Sequence, residues 1–188
     1  MQRQKPRSFN ILTVINLLFV TASIAVCIIL MLVDLPGMEL LEVNPNWLLI
    51  WVVAWSLNRT AWQGAIAGLT IGCIYDGIVI STPSHILSFV VVGVLTSSLK
   101  TQKYLGEDFI SVAFIVFFMT FLSEAIFALQ YAGEYSIGII DLLQKYQQVV
   151  IISAIITSLW SPAFYYPVNL WQKKIRLWRK KFSYSHSK

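Results

Sequence analysis

The sequence predicts an all-α integral membrane protein with about six transmembrane helices, and three observations predict it. Of its 188 residues, 57% are hydrophobic and only 12% charged, whereas soluble domains carry about 25% charged residues. The mean hydropathy is +0.69, and the apolar residues gather into runs on the scale of the roughly 20-residue helices that cross a bilayer. Basic residues collect on alternate connections between those runs. A water-soluble fold is excluded on these grounds, and little length is left for a separate soluble domain.

The first run, Phe9 to Val33, follows the basic residues Arg3, Lys5 and Arg7. Its length and the lack of a small-residue cleavage site predict a retained first span, not a removed signal peptide. Asp34 to Asn46, with three acids, Pro36, Gly37 and Pro45, predicts an outer loop. Trp47 to Leu57 is short enough to be re-entrant, but parity requires it to cross. Without it, Lys100, Lys103 and the basic C-terminal residues would fall outside, against the positive-inside rule.

With spans at about 9–33, 46–57, 62–80, 85–99, 109–131 and 148–168, both termini are cytoplasmic. Every one of the 14 basic residues except Lys145 then lies inside. Residues 1–170 form a single six-span membrane domain in this scheme, and residues 171–188 a basic cytoplasmic amphipathic tail. Ser81 to His85 is a turn so short that the helices around it must be antiparallel neighbours, and Asn58 to Ala61 is a similar inner turn. Ala132 to Gln148 is expected as a longer outer loop, with Ile137 to Leu143 at the membrane interface.

Cys27 and Cys73 lie in apolar runs without a CxxC pair and read as small buried hydrophobes. His85, in an outer turn, reads as a solvated loop residue. No metal site, cofactor or enzyme signature is indicated: there is no GxSxG, HExxH or Walker loop. The net charge of +5 does not point to nucleic acid, because the basic residues are not spread over a soluble surface.

Gly64, Gly68, Gly72 and Asp76 recur every four residues in the third span. Small residues at that spacing let another helix backbone approach closely, so the stripe is either a packing face within the chain or a groove for a partner. Asp76 and, in the fifth span, Glu124 are ionisable groups at membrane depth, where such groups face a protein interior or a wet cavity. Both lie roughly 21 to 22 Å from the inner ends of their spans, in the outer half of the bilayer core. They are candidate walls of an outward-facing polar cavity, or simply capped by neighbouring hydrogen bonds. A hydrolase using them as a carboxylate pair requires the two groups to meet.

Trp51 and Trp55, four residues apart, form an aromatic face suited to packing. Beyond the last span, Trp171, Ile175, Trp178 and Phe182 fall at helical spacing among Lys173, Lys174, Arg176, Arg179, Lys180 and Lys181. That pattern suits a helix lying on the bilayer surface, with its cations near anionic lipids.

From Asn44 to Leu99 the chain resembles the rod shape-determining protein MreD family. The resemblance rests on Pro45 opening a short Trp-containing span, the basic turn at Asn58 and Arg59, then Gly64, Gly68, Gly72 and Asp76, and a turn into a fourth span. It implies a non-catalytic, cofactor-free component of the bacterial cell-elongation machinery in the inner membrane. The implied partners are the lipid bilayer, MreC and, through the complex, MreB, RodA and a penicillin-binding protein that organise lateral peptidoglycan growth. The fold it implies resembles the substrate-binding subunits of energy-coupling-factor transporters, which supplies the alternative of a vitamin-binding S-component.

Overall fold

A ten-residue helix that is apolar on every side has no face to give to water, and burial inside a bundle is the arrangement that suits it. In the computed structural model this is the helix Trp47–Ser56, and it touches each of the other five helices. The structure describes residues 7–33, 37–38, 43–57, 59–80, 82–99, 109–135 and 139–185. In chain order the helices are α1 Arg7–Leu32, α2 Trp47–Ser56, α3 Ala61–Val79, α4 Ile86–Ser98, α5 Phe109–Tyr135 and α6 Ile139–Ser185. Arg3, Lys5, Asp34, Glu39, Glu42, Asn58, Ser81, Lys100 and Lys103 lie outside the described residues.

The local chemistry sets where α2 begins. Asn46 Oδ1 accepts from the Leu49 amide at 3.0 Å, an N-cap bond, while the Asn46 amide donates to Thr157 Oγ1 of α6 at 3.1 Å. The cap thereby orients the helix and ties it to a neighbour. Its side chains from Trp47 to Ala54 are all at most 4% exposed and form the middle of the core, with Ile71, Phe89, Val92, Val112 and Val116 from α3, α4 and α5 around them. Trp47 packs its ring on Trp160 and Phe164 of α6, at centroid distances of 5.9 and 5.3 Å.

The most intimate pairing is between α3 and α4, and glycine makes it possible. A Cβ placed on Gly64 would collide with the carbonyl oxygen of Gly93, and one placed on Gly93 would collide with that of Gly64. Further along, Gly68 faces the Phe89 carbonyl, and a Cβ on Gly72 would stand 2.8 Å from Ile86 Cα. The two backbones therefore touch directly, which is how membrane helices gain dispersion contact without a hydrophobic driving force. The groove along the stripe is filled by α4 of the same chain. Ser97 Oγ donates back to the Gly93 carbonyl at 2.5 Å, so even the polar atom at this seam is paired.

Among the described residues three helices are long and apolar enough to cross a membrane, over Ile11–Leu32, Ile110–Glu134 and Gln147–Trp178. Trp47–Ser56 and Ile86–Ser98 are apolar but shorter, and α3 has 19 residues with Gln63, Thr70 and Asp76 among its apolar ones. Among the described residues α1 touches α2 and α6 alone of the helices, and it leaves Leu17, Leu18, Ile29 and Leu32 exposed, as a lipid-facing helix does.

Two expected boundaries move. The segment from Ala132 to Gln148 is largely helical, because α5 continues to Tyr135 and α6 starts at Ile139; of Ile137 to Leu143, residues 137–138 lie outside the described ones. The tail does not begin as a separate element at Trp171. The 47-residue α6 passes through Pro162 and Pro167 and runs on to Ser185. Pro162 has no amide to offer the Ser158 carbonyl, and Ser161 Oγ donates to that carbonyl instead, at 2.7 Å. Gln172 and Ile175 are buried, which holds the start of the expected tail to the bundle.

Substitution of Gly64 or Gly93 by Ala is expected to destabilise the protein by about 1–3 kcal/mol, the usual cost of overpacking. Gly77→Ala and Gly133→Ala, where an added Cβ meets nothing within 4 Å, are expected to leave stability unchanged or slightly raised. Thermal unfolding in detergent measures all four.

Candidate functional site

The two acids of the third and fifth helices, Asp76 and Glu124, take different partners. Asp76, in the last turn of α3, clasps the turn into α4: Ser84 Oγ donates to Oδ2 at 2.6 Å, the His85 amide donates to Oδ1 at 2.9 Å, and His85 Nδ1 lies 3.0 Å from Oδ1. The carboxylate thereby stands at the N-terminus of α4, where the helix dipole and unpaired amides favour negative charge. Ser84 Oγ in turn accepts from the Ile86 amide at 3.2 Å. The α3 side of the turn ends at Ile80, whose φ of 46° puts it in the left-handed region, with its amide still bonded to the Asp76 carbonyl at 3.0 Å.

His85 is not the solvated residue expected from its place in a turn. Its side chain is 15% exposed, stacks on Phe127 of α5 at 4.2 Å and packs against Tyr75 at 4.6 Å. A turn of polar residues reads as solvated only when nothing covers it, and here α5 does. Glu124, one turn before Phe127 on α5, accepts from Ser153 Oγ of α6 at 3.5 Å, the limit of a hydrogen bond. Tyr75 lies close enough to Glu124 and Asp76 to interact electrostatically with both. The acids thus sit around one cluster, each bound to partners of its own, with no carboxyl–carboxyl hydrogen bond between them among the described contacts.

The aromatic face has a definite occupant. Trp51 and Trp55 stack at 5.9 Å with 15° between their planes, Trp51 Nε1 donates to Ser23 Oγ of α1 at 2.8 Å, and the Arg59 guanidinium lies 4.7 Å from the Trp55 ring centre. Both indoles line a narrow crevice between α1, α2 and α6, together with Asn16, Arg59, Trp171 and Gln172. Neither Asp76 nor Glu124 lines it. About 16 residues of α3, some 24 Å of helix, separate the Arg59 end of the bundle from the Asp76 end.

At the end of α6, Trp171 stacks on Phe19 of α1 at 4.4 Å, and Lys174 Nζ lies 5.1 Å from the centre of the Trp178 ring. Arg176 Nε donates to the Gln172 carbonyl at 3.4 Å, and both Lys173 and Arg176 are exposed. The side chains of Arg179, Lys180 and Lys181 lie outside the described ones. Among the described residues no group of three or more His, Cys, Asp or Glu side chains could hold a metal ion.

Gly93, Ser97, Tyr75, Ser153 and Gln172 complete these arrangements without standing out in the sequence as Asp76 does. For Gly93 and Ser97 a signal exists, since they repeat in α4 the four-residue spacing of small residues seen in α3. For Gln172 and Ser153 only the packing reveals a role.

Asp76→Ala is expected to cost about 1–3 kcal/mol, because it leaves the Ser84 hydroxyl and the His85 amide without their acceptor. Glu124→Gln, which keeps an acceptor for Ser153, should cost less than about 1 kcal/mol. Unfolding of the two variants in detergent compares them.

Residues 8–175 match the family model described as rod shape-determining protein MreD. No curated protein and no solved structure matches the chain.

Proposed function

The chain belongs to the MreD family of rod shape-determining membrane proteins, and from that premise we propose that it is a non-catalytic multi-pass component of the elongation machinery in the bacterial inner membrane. It partners MreC, a single-span protein with a periplasmic coiled coil, and through that complex MreB, RodA and a penicillin-binding protein during lateral peptidoglycan synthesis. The observation that carries this reading is the family match over residues 8–175, which takes in all six helices except the first residue of α1 and the end of α6.

All six helices cross the bilayer in this proposal, with both termini in the cytoplasm. The charge distribution supports it, since Arg59 follows α2 on the same side as the basic end of the chain. The brevity of α2 is compatible with crossing, because its ten residues rise only about 15 Å but are enclosed by other helices and need not match the hydrocarbon thickness alone. In this scheme the basic residues that follow Trp171 on α6 are at the cytoplasmic end of the helix, where cations near anionic lipid are worth about 1 kcal/mol each.

Two experiments test the proposal. Affinity-tagged protein should copurify with MreC from a rod-shaped host, and its depletion should turn rods into spheres; intact rods after depletion contradict the role. Alkaline phosphatase fused after Glu42 or Gly138 should be active, and after Arg59, Lys103 or Lys188 inactive, if the six-span scheme is right. Activity after Arg59 contradicts it.

A further inference from the structure

The crevice between α1, α2 and α6 holds two side-chain donors with no hydrogen-bond partner among the described residues. Gln172 is only 7% exposed, and its Nε2 is buried without a hydrogen-bond partner, as is the Nε1 of Trp171 beside it. Both residues line the crevice. A buried donor left unpaired costs about 1–3 kcal/mol, so two in one crevice mark a place where an acceptor from outside the chain belongs. Trp51 Nε1, which also belongs to the lining, is already satisfied by Ser23.

The charge of the site is one-sided. Arg59 lines it with its guanidinium over the Trp55 ring, and among the described residues no acidic side chain lines it. Lys173, Lys174 and Arg176 follow Gln172 directly on α6. The crevice encloses about 250 Å³ counting its open mouth, and inside it narrows to room for about one water-sized group. A compact anion can therefore rest at the mouth and send a single oxygen inward.

We infer that this crevice binds the phosphate of a phospholipid headgroup, one phosphate oxygen accepting from Gln172 Nε2 and Trp171 Nε1 while Arg59 faces its charge. A lipid, and not free phosphate, fits the surroundings. The exposed apolar face of α1, with Val14, Leu17 and Leu18, offers acyl chains a path away from the crevice, and the indoles of Trp55 and Trp171 mark the headgroup level, where tryptophan is enriched. In the six-span scheme this is the inner leaflet. The inference rests on that scheme for the side of the membrane alone.

Native mass spectrometry of the full-length protein in detergent tests it, with phosphatidylglycerol, diacylglycerol and inorganic phosphate as probes. Phosphatidylglycerol should remain bound as a single saturable adduct, diacylglycerol should not, and inorganic phosphate at the same concentration should not displace the lipid. W171F keeps the stacking on Phe19 while removing the donor, and Q172L removes the amide. Each should weaken the adduct about tenfold, while W62F, at a residue that is 76% exposed, should not change it.

Equal retention of the lipid by wild type, W171F and Q172L would overturn the site. Displacement by inorganic phosphate would overturn the lipid as its source. If Q172L proves unfolded by its melting curve, W171F alone carries the comparison. Adduct formation in detergent does not depend on which way the crevice faces, so a negative result counts against the site and leaves the six-span scheme to the phosphatase fusions.

Discussion

The direct contact of two backbones at Gly64 and Gly93 is the constraint on which the other arrangements depend. Because no side chain stands between α3 and α4, the helices run close together along Gly64, Gly68 and Gly72, and the turn joining them has to be tight. A tight turn brings Ser84 and His85 back over the end of α3, within reach of Asp76. The same closeness lets Ile71, Phe89 and Val92 present a continuous apolar wall to α2. Parting the seam would loosen the turn, the Asp76 clasp and the wall together.

The bundle built on that seam has two chemically different ends. At one, Asp76, His85, Tyr75 and Phe127 form a polar and aromatic lock that fastens the α3–α4 hairpin to α5. At the other, Trp55, Arg59, Trp171 and Gln172 gather donors and positive charge around an open crevice. Charge at a helix end is cheapest where a dipole, a headgroup or a partner compensates it, and each end supplies a different compensation. α2 joins the two, capped by Asn46 at one end and leading to Arg59 at the other.

Much of this was legible in the sequence, because a membrane restricts the choices. Apolar runs give helices, and small residues every four positions give a close-packed face, as Gly64, Gly68 and Gly72 do. The locations of α2, α3 and α4 follow within a few residues from those rules. The start of α6 and its extension past Trp171 did not, because they depend on amphipathic segments whose helical state is decided by what they lie against; Ile175 is helical and buried through contacts within the bundle. His85 misled for a related reason. A turn looks solvated in one dimension, and only the placement of Phe127 shows that it is covered. The crevice was invisible, since it needs Asn16, Arg59 and Gln172, far apart in the chain, to converge.

A double-substitution cycle at Gly64 and Gly93 tests the seam most directly. If the two positions share one backbone contact, the first added methyl parts the helices and the second finds room already made. The unfolding free energy lost by the G64A/G93A pair should then fall short of the sum of the single losses by about 1 kcal/mol or more. Losses that add to within about 0.5 kcal/mol would mean that the two glycines do not meet, and would contradict the arrangement from which the turn, the Asp76 clasp and the buried α2 all follow.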